Sequence, residues 1–168
     1  MGEHFIRQIY GVSEEDYSTY HGLLNLYWCL GCMVGSLLGG WVAKSIGPFR
    51  GMIYVELLRM VIFGMYCIPD LVTIQITRGL CGLTVGIMTV LCPLGTTQVL
   101  PQSMQAFGGI MFFTTNTGAI VLTALTGQFL SEQFVLDYWR IILAWPGVFT
   151  VARFLLLAFV FRMESPQF

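Results

Sequence analysis

Five apolar stretches, at roughly residues 21–43, 51–69, 71–95, 106–130 and 141–162, take up most of the chain. Each is long enough for one helical crossing of a bilayer, which needs about 20 apolar residues. The expected fold is therefore all-α: a polytopic transmembrane helical bundle of about five spans over residues 21–168, behind a polar N-terminal arm at 1–20. Composition agrees, with 56% hydrophobic and 10% charged residues against about 25% charged in soluble domains. A net charge of -1 lacks the basic stripe that a nucleic-acid partner requires, so that class of function is set aside.

Within the first stretch, Gly31, Gly35 and Gly39 fall four residues apart. On a helix this spacing lines one groove where a neighbouring backbone can approach closely, so the three are assigned to helix packing. A short polar turn from Lys44 to Arg50 follows, then the second apolar stretch, which makes a membrane hairpin. The other links are also short, at Pro69–Asp70, 101–105 and 131–140, and short links predict that consecutive helices are antiparallel neighbours.

The arm holds five of the seventeen Asp, Glu, Lys and Arg residues, and shows neither a secretory signal nor a transit-peptide pattern. Ser13 and Asp16 suggest a helix start leading into the first span. Lys44, Arg50 and Arg162 share one side of the expected topology, which positive-inside counting assigns to the cytoplasm or matrix. There the same three residues could meet anionic lipid head groups, the one kind of bound small molecule the sequence suggests.

Cys29, Cys32, Cys67, Cys81 and Cys92 all lie in apolar stretches and read as reduced packing residues. Cys29 and Cys32 form a CxxC with no second pair or nearby His to complete a metal site. No nucleophile motif or carboxylate pair has usable spacing. Neither an enzyme, a metal nor a cofactor is expected.

Gly35-Ser36-Leu37-Leu38 with Gly40, Ala43 and Gly47, then Arg78-Gly79, Pro93, Pro101, Trp139-Arg140 and the closing Met163 to Phe168 follow in an order that, from about residue 20 onward, resembles the N-terminal half, helices 2 to 6, of a sugar porter of the major facilitator superfamily. Gly35, Ser36, Leu37, Leu38, Gly40, Ala43 and Gly47 match the family's hairpin, GSLLAGxLADRxGRR. Arg78-Gly79 with Gly82 and Gly86 is similar to its GR…G…G, and Pro93 and Pro101 stand at the prolines of its P…E…P. Trp139-Arg140 matches the WR of its sixth helix, and Met163 to Phe168 resembles its closing PESPRW. The resemblance implies a partial, degenerate major-facilitator half-domain.

The departures fall on the family's charges. Lys44 and Ser45 replace an Asp and an Arg, Pro48-Phe49 replaces a basic pair, Gln98 replaces a Glu, and Gln105 replaces an Arg. In the family these form the inner-side network that steadies one gate state, so switching by ion pairs is not expected here. Phe112 stands where the family's sugar-contacting Gln would be, and a phenyl ring offers a sugar hydroxyl no hydrogen-bond partner. Thr115 and Asn116, one turn on, are the candidate substrate-binding residues if transport survives; backbone or interhelical bonds are the alternative use of such side chains.

The resemblance also implies twelve helices in two halves with the substrate between them, and this chain matches only helices 2 to 6. Two functions follow. One is a transport-inactive structural accessory subunit of a larger multi-subunit complex, with other membrane subunits as partners and a small-molecule substrate not expected. Its assigned home is a respiratory-chain or similar energy-transducing complex of the mitochondrial inner membrane. The alternative is a sugar or small-solute transporter, either a half-porter working with a partner or a fragment of a full porter.

Glu56, Arg59 and Arg153 lie inside expected spans. An ionisable group at the bilayer centre costs at least about 2.5 to 3.5 kcal/mol on insertion scales, so each should face protein or water and have a partner. The resemblance places the helices that carry them outside the central cavity. An intramembrane ion pair or a contact with a partner subunit is therefore favoured over a proton or substrate relay.

Overall fold

A computed structural model describes residues 14–66, 68, 70–129 and 147–157, and every element among them is helical. Helix α1 is Glu14–Ile46, α2 is Pro48–Met65, α3 is Leu71–Val99 and α4 is Gln105–Phe129. A single 3-10 turn, Gln102–Met104, leads into α4, and a last helix, α5, occupies 147–157. Two of these helices contain segments apolar and long enough to cross a membrane: Ser18–Ile46, with mean hydropathy 1.5, and Val72–Val99, with 1.6. Helix α2 is shorter and carries Arg50, Glu56 and Arg59 within its 18 residues.

Helix α1 starts seven residues before the apolar stretch at 21, inside the segment read as the polar arm. Hydropathy reports where a chain can sit in lipid, whereas the backbone ladder continues past that boundary as long as no residue breaks it. The polar turn between the first two stretches is likewise mostly helix. Lys44 lies in the last turn of α1 and Arg50 in the first turn of α2. Gly47 alone joins the two helices, with φ 83° and ψ 157°, a conformation essentially reserved for glycine. Pro48 then opens α2 at the position where its missing N–H costs no intrahelical bond.

Asp70 and Gln105 stop and start the next elements. Asp70 caps α3, its carboxylate accepting from the Thr73 backbone N–H at 3.0 Å and from the Thr73 hydroxyl at 2.9 Å. At the far end, Gln105 Nε2 donates to the Thr97 carbonyl at 3.0 Å, which satisfies one of the carbonyls a helix terminus leaves open.

Packing does not follow chain order. The most extensive interface joins α1 to α3, the next joins α2 to α3, and α1 touches the adjacent α2 only lightly. Consecutive helices α1 and α2 are neighbours as expected, but their contact is small, because the groove of α1 finds its match on α3. Two apolar clusters sit between α2 and α3. Met52, Val55, Ile87, Met88 and Leu91 form the first, and Ile62, Tyr66 and Cys81 form the second. Helix α4 makes a smaller contact with α3 and leaves most of its surface open.

Candidate functional site

Gly31, Gly35 and Gly39 all face α3. A methyl group added at Gly31 would collide with the Gly79 carbonyl, one at Gly35 with the Leu83 carbonyl, and one at Gly39 would lie 2.9 Å from Val90 Cβ. The relation is mutual, since Gly82 rests on the Trp28 carbonyl and Gly86 on the Cys32 carbonyl. Two glycine-notched faces thus meet backbone to backbone. The helices approach without side chains to order, which suits association in lipid, where apolar burial gives no drive. Sequence reading assigned Gly79, Gly82 and Gly86 to a family motif and missed their packing role. Their spacing of three and four residues is the signal that marks one helical face.

Arg78 adjoins this seam, its guanidinium 4.7 Å from the centre of the Trp28 ring. The cation thereby gains an aromatic face as well as a position beside the helix contact.

Glu56 lies between the two apolar clusters, with its side chain fully buried. Arg59 stands one turn on along α2, with Nη1 3.8 Å from Glu56 Oε1, and Arg153 of α5 pairs with the same oxygen. The three charges therefore form one ion-pair group across two helices. Arg59 also donates from Nε to the Thr84 hydroxyl of α3 at 3.4 Å, and that hydroxyl donates to the Cys81 carbonyl at 2.8 Å. This ties the cluster to a third helix. The side chains differ in exposure: Arg59 is 12% exposed and Arg153 is 45% exposed. Glu56 Oε2 is buried with no hydrogen-bond partner among the described residues.

Thr115 and Asn116 are exposed on α4. The open apolar concavity on that helix is instead lined by Phe113, Thr114, Thr117, Gly118, Val121 and Leu122. A groove on a single helix gathers residues three and four apart, so Thr114, Thr117 and Val121 fall together and the consecutive pair Thr115-Asn116 does not line it. Phe112 is part-buried, its ring 5.5 Å from that of Phe113 in an edge-to-face arrangement.

Lys44 and Arg50 are both exposed, on either side of Gly47. Arg162, Trp139-Arg140, Ser13, Cys67 and the final Met163 to Phe168 lie outside the described residues. Cys29, Cys32, Cys81 and Cys92 are free thiols, and no group of metal-ligating side chains forms among the described residues.

Two positions where the resemblance implies gate charges make packing or capping contacts instead. Phe49 packs against the cluster of Met52, Val55 and Leu91, and Gln105 caps α3. The family described as "Sugar (and other) transporter" matches residues 3–168.

The chain belongs to this sugar transporter family.

Similar proteins include the facilitated glucose transporter member 2 of Gallus gallus, 28% identical over 168 residues, covering 92% of this chain and 30% of the relative. Hexose transporter 1 of Toxoplasma gondii is 29% identical over 166 residues, covering 89% of this chain and 28% of the relative. The facilitated glucose transporter member 2 of Bos taurus is 26% identical over 170 residues, covering 93% and 32%. The sugar-transporter chain thus spans about a third or less of the length of these relatives. No solved structure matches it. Membership makes it an integral membrane protein, and the all-helical fold agrees with a partial sugar porter bundle.

Proposed function

We propose that this chain forms one wall of a path for a sugar or similar small solute, acting with a complementary bundle that supplies the opposite wall. The observation that carries the reading is the concavity on α4. Thr114 and Thr117 offer hydroxyls in an otherwise apolar strip that no other described helix lines. Hydroxyls in that setting suit a ligand that is itself rich in hydroxyls. The relatives supply the substrate class, since their printed names specify glucose and hexose. Thr115 and Asn116, exposed beside the strip, would meet solute only nearer its rim.

The test is uptake of labelled hexoses into proteoliposomes. These would hold this chain alone, this chain with the C-terminal half of the Gallus gallus relative, or the complete relative as control. Uptake above the empty-vesicle level in either of the first two, reduced by Thr117→Val, supports the reading. A flat signal in both, against an active control, overturns it.

A second reading is a structural accessory subunit of a larger membrane assembly, and the altered gate positions favour it. Phe49 and Gln105 make packing and capping contacts where the resemblance implies gate charges. A fixed stoichiometry with other subunits after gentle solubilisation supports this reading, and a free or self-paired species counts against it. The relatives lend the mitochondrial inner membrane no support, so this reading goes no further than an integral membrane protein. Anionic lipid at Lys44 and Arg50 fits either reading, since both side chains project from the junction of α1 and α2.

A further inference from the structure

We infer that the outer face of α5 docks a transmembrane helix of a different sequence that carries an Asp or Glu at mid-depth, paired with Arg153.

The argument starts from charge. The intramembrane cluster sets two guanidiniums, Arg59 and Arg153, against the single carboxylate of Glu56. One positive charge is left over. Arg59 is nearly buried and has a second partner in Thr84, so its charge is turned into the bundle. Arg153 has Glu56 alone among the described side chains, and 45% of its own side chain faces outward. The surplus charge therefore resides on the half of Arg153 that points away from the helices.

The surroundings define what meets it. Phe149 and Leu156, four residues before and three after Arg153 and so on its side of the helix, are exposed and apolar, and the guanidinium opens beside them. Arg153 lies near the middle of the expected span at 141–162, and Glu56 near the middle of α2. An arginine in that position needs a counter-charge at the same depth, and a fork of N–H donors matches a carboxylate.

A second copy of the chain does not supply one. Of its nine acidic residues, Glu3, Glu14, Glu15, Asp16, Asp70, Glu132, Asp137 and Glu164 lie at or beyond the ends of the expected spans. Glu56 is the exception, and it is fully buried within its own bundle. A lipid head group is also a poor match, because its charge sits at the interface rather than the centre. What fits is a helix from outside these 168 residues with one acid at its middle.

The inference is independent of solute transport, because its test reads assembly. A photo-crosslinking amino acid replaces Leu156 in the full-length chain, which is expressed in its native membrane and irradiated there. The expected result is one adduct of defined mass to another membrane protein, identified by mass spectrometry. The adduct should fall at least tenfold with Arg153→Leu and persist with Arg153→Lys. Arg153→Asp should abolish it, and a Lys in place of the partner's mid-span acid should restore it. This last arm separates a lost charge pair from a misfolded chain. An adduct only to lipid, only to a second copy, or unchanged by Arg153→Leu overturns the proposal. So does the absence of any adduct, or a partner helix without a mid-span acid.

Discussion

Gly86 of α3 lies against the carbonyl of Cys32 on α1, with no space between them for a methyl group. Gly31, Gly35 and Gly82 are held in the same way along this seam and Gly39 abuts the Val90 side chain, whereas Gly40 of α1 faces open space. These positions should respond oppositely to the same substitution. Gly35→Ala or Gly86→Ala drives a methyl into backbone and should destabilise the bundle by about 1–3 kcal/mol, the range for overpacking. Gly40→Ala should be neutral or stabilising by about 0.5–1 kcal/mol, the helix-propensity gain. Thermal unfolding in detergent, followed by tryptophan fluorescence, checks the sign of each.

Glu56 is the common partner of two arginines, so its removal should cost more than the removal of either. Glu56→Leu leaves like charges facing each other in a buried site and should destabilise by about 3–5 kcal/mol, the range for a buried pair broken from one side. Combining Glu56→Leu with Arg59→Leu and Arg153→Leu should recover much of that loss. Unfolding midpoints of the single and triple variants decide it. A triple variant no more stable than Glu56→Leu would mean that the cost comes from packing around residue 56.

Gly47 isolates a purely conformational effect, since nothing lies within 4 Å of a Cβ placed there. Gly47→Ala should nevertheless destabilise by about 1–3 kcal/mol, because φ 83° with ψ 157° is strained for any residue with a side chain. The unfolding midpoint compared with that of Gly22→Ala, which also meets open space but lies within α1, measures the difference.

Asp70→Ala removes both bonds to Thr73. The loss expected for an N-cap is about 0.5–2 kcal/mol. Hydrogen exchange should localise it, with faster exchange at the first turn of α3 and unchanged protection around Leu91, deep in the core.

Much of the architecture was legible because lipid imposes a simple grammar. Long apolar runs mark α1 and α3, and the four-residue glycine spacing marks the packing face of α1. The identity of the face opposite was not legible from α1 itself. Chain order favoured α2, and only the backbone geometry shows Gly31 and Gly35 seated on Gly79 and Leu83. The need of Glu56 for an ionic partner followed from the cost of burying charge. That Arg59 would also reach Thr84 depended on α3 lying alongside, which no local pattern encodes. On α4 the pair Thr115-Asn116 marked a polar stretch but not the face it presents, because adjacent residues point apart by about 100° in a helix of 3.6 residues per turn. The concavity accordingly falls on Thr114 and Thr117 rather than on Thr115 and Asn116.

The position of Arg59 one turn from Glu56 bears on the order in which the protein is built. Ribosomes make α2 well before α5, so when Glu56 first reaches the bilayer Arg153 does not yet exist. Arg59 is then the countercharge at hand, and Glu56 and Arg59 can enter as a neutral pair. The later arrival of Arg153 converts a self-contained pair into a triad with an outward-looking cation. During biogenesis the bundle thus passes from electrically closed to electrically open when α5 is added.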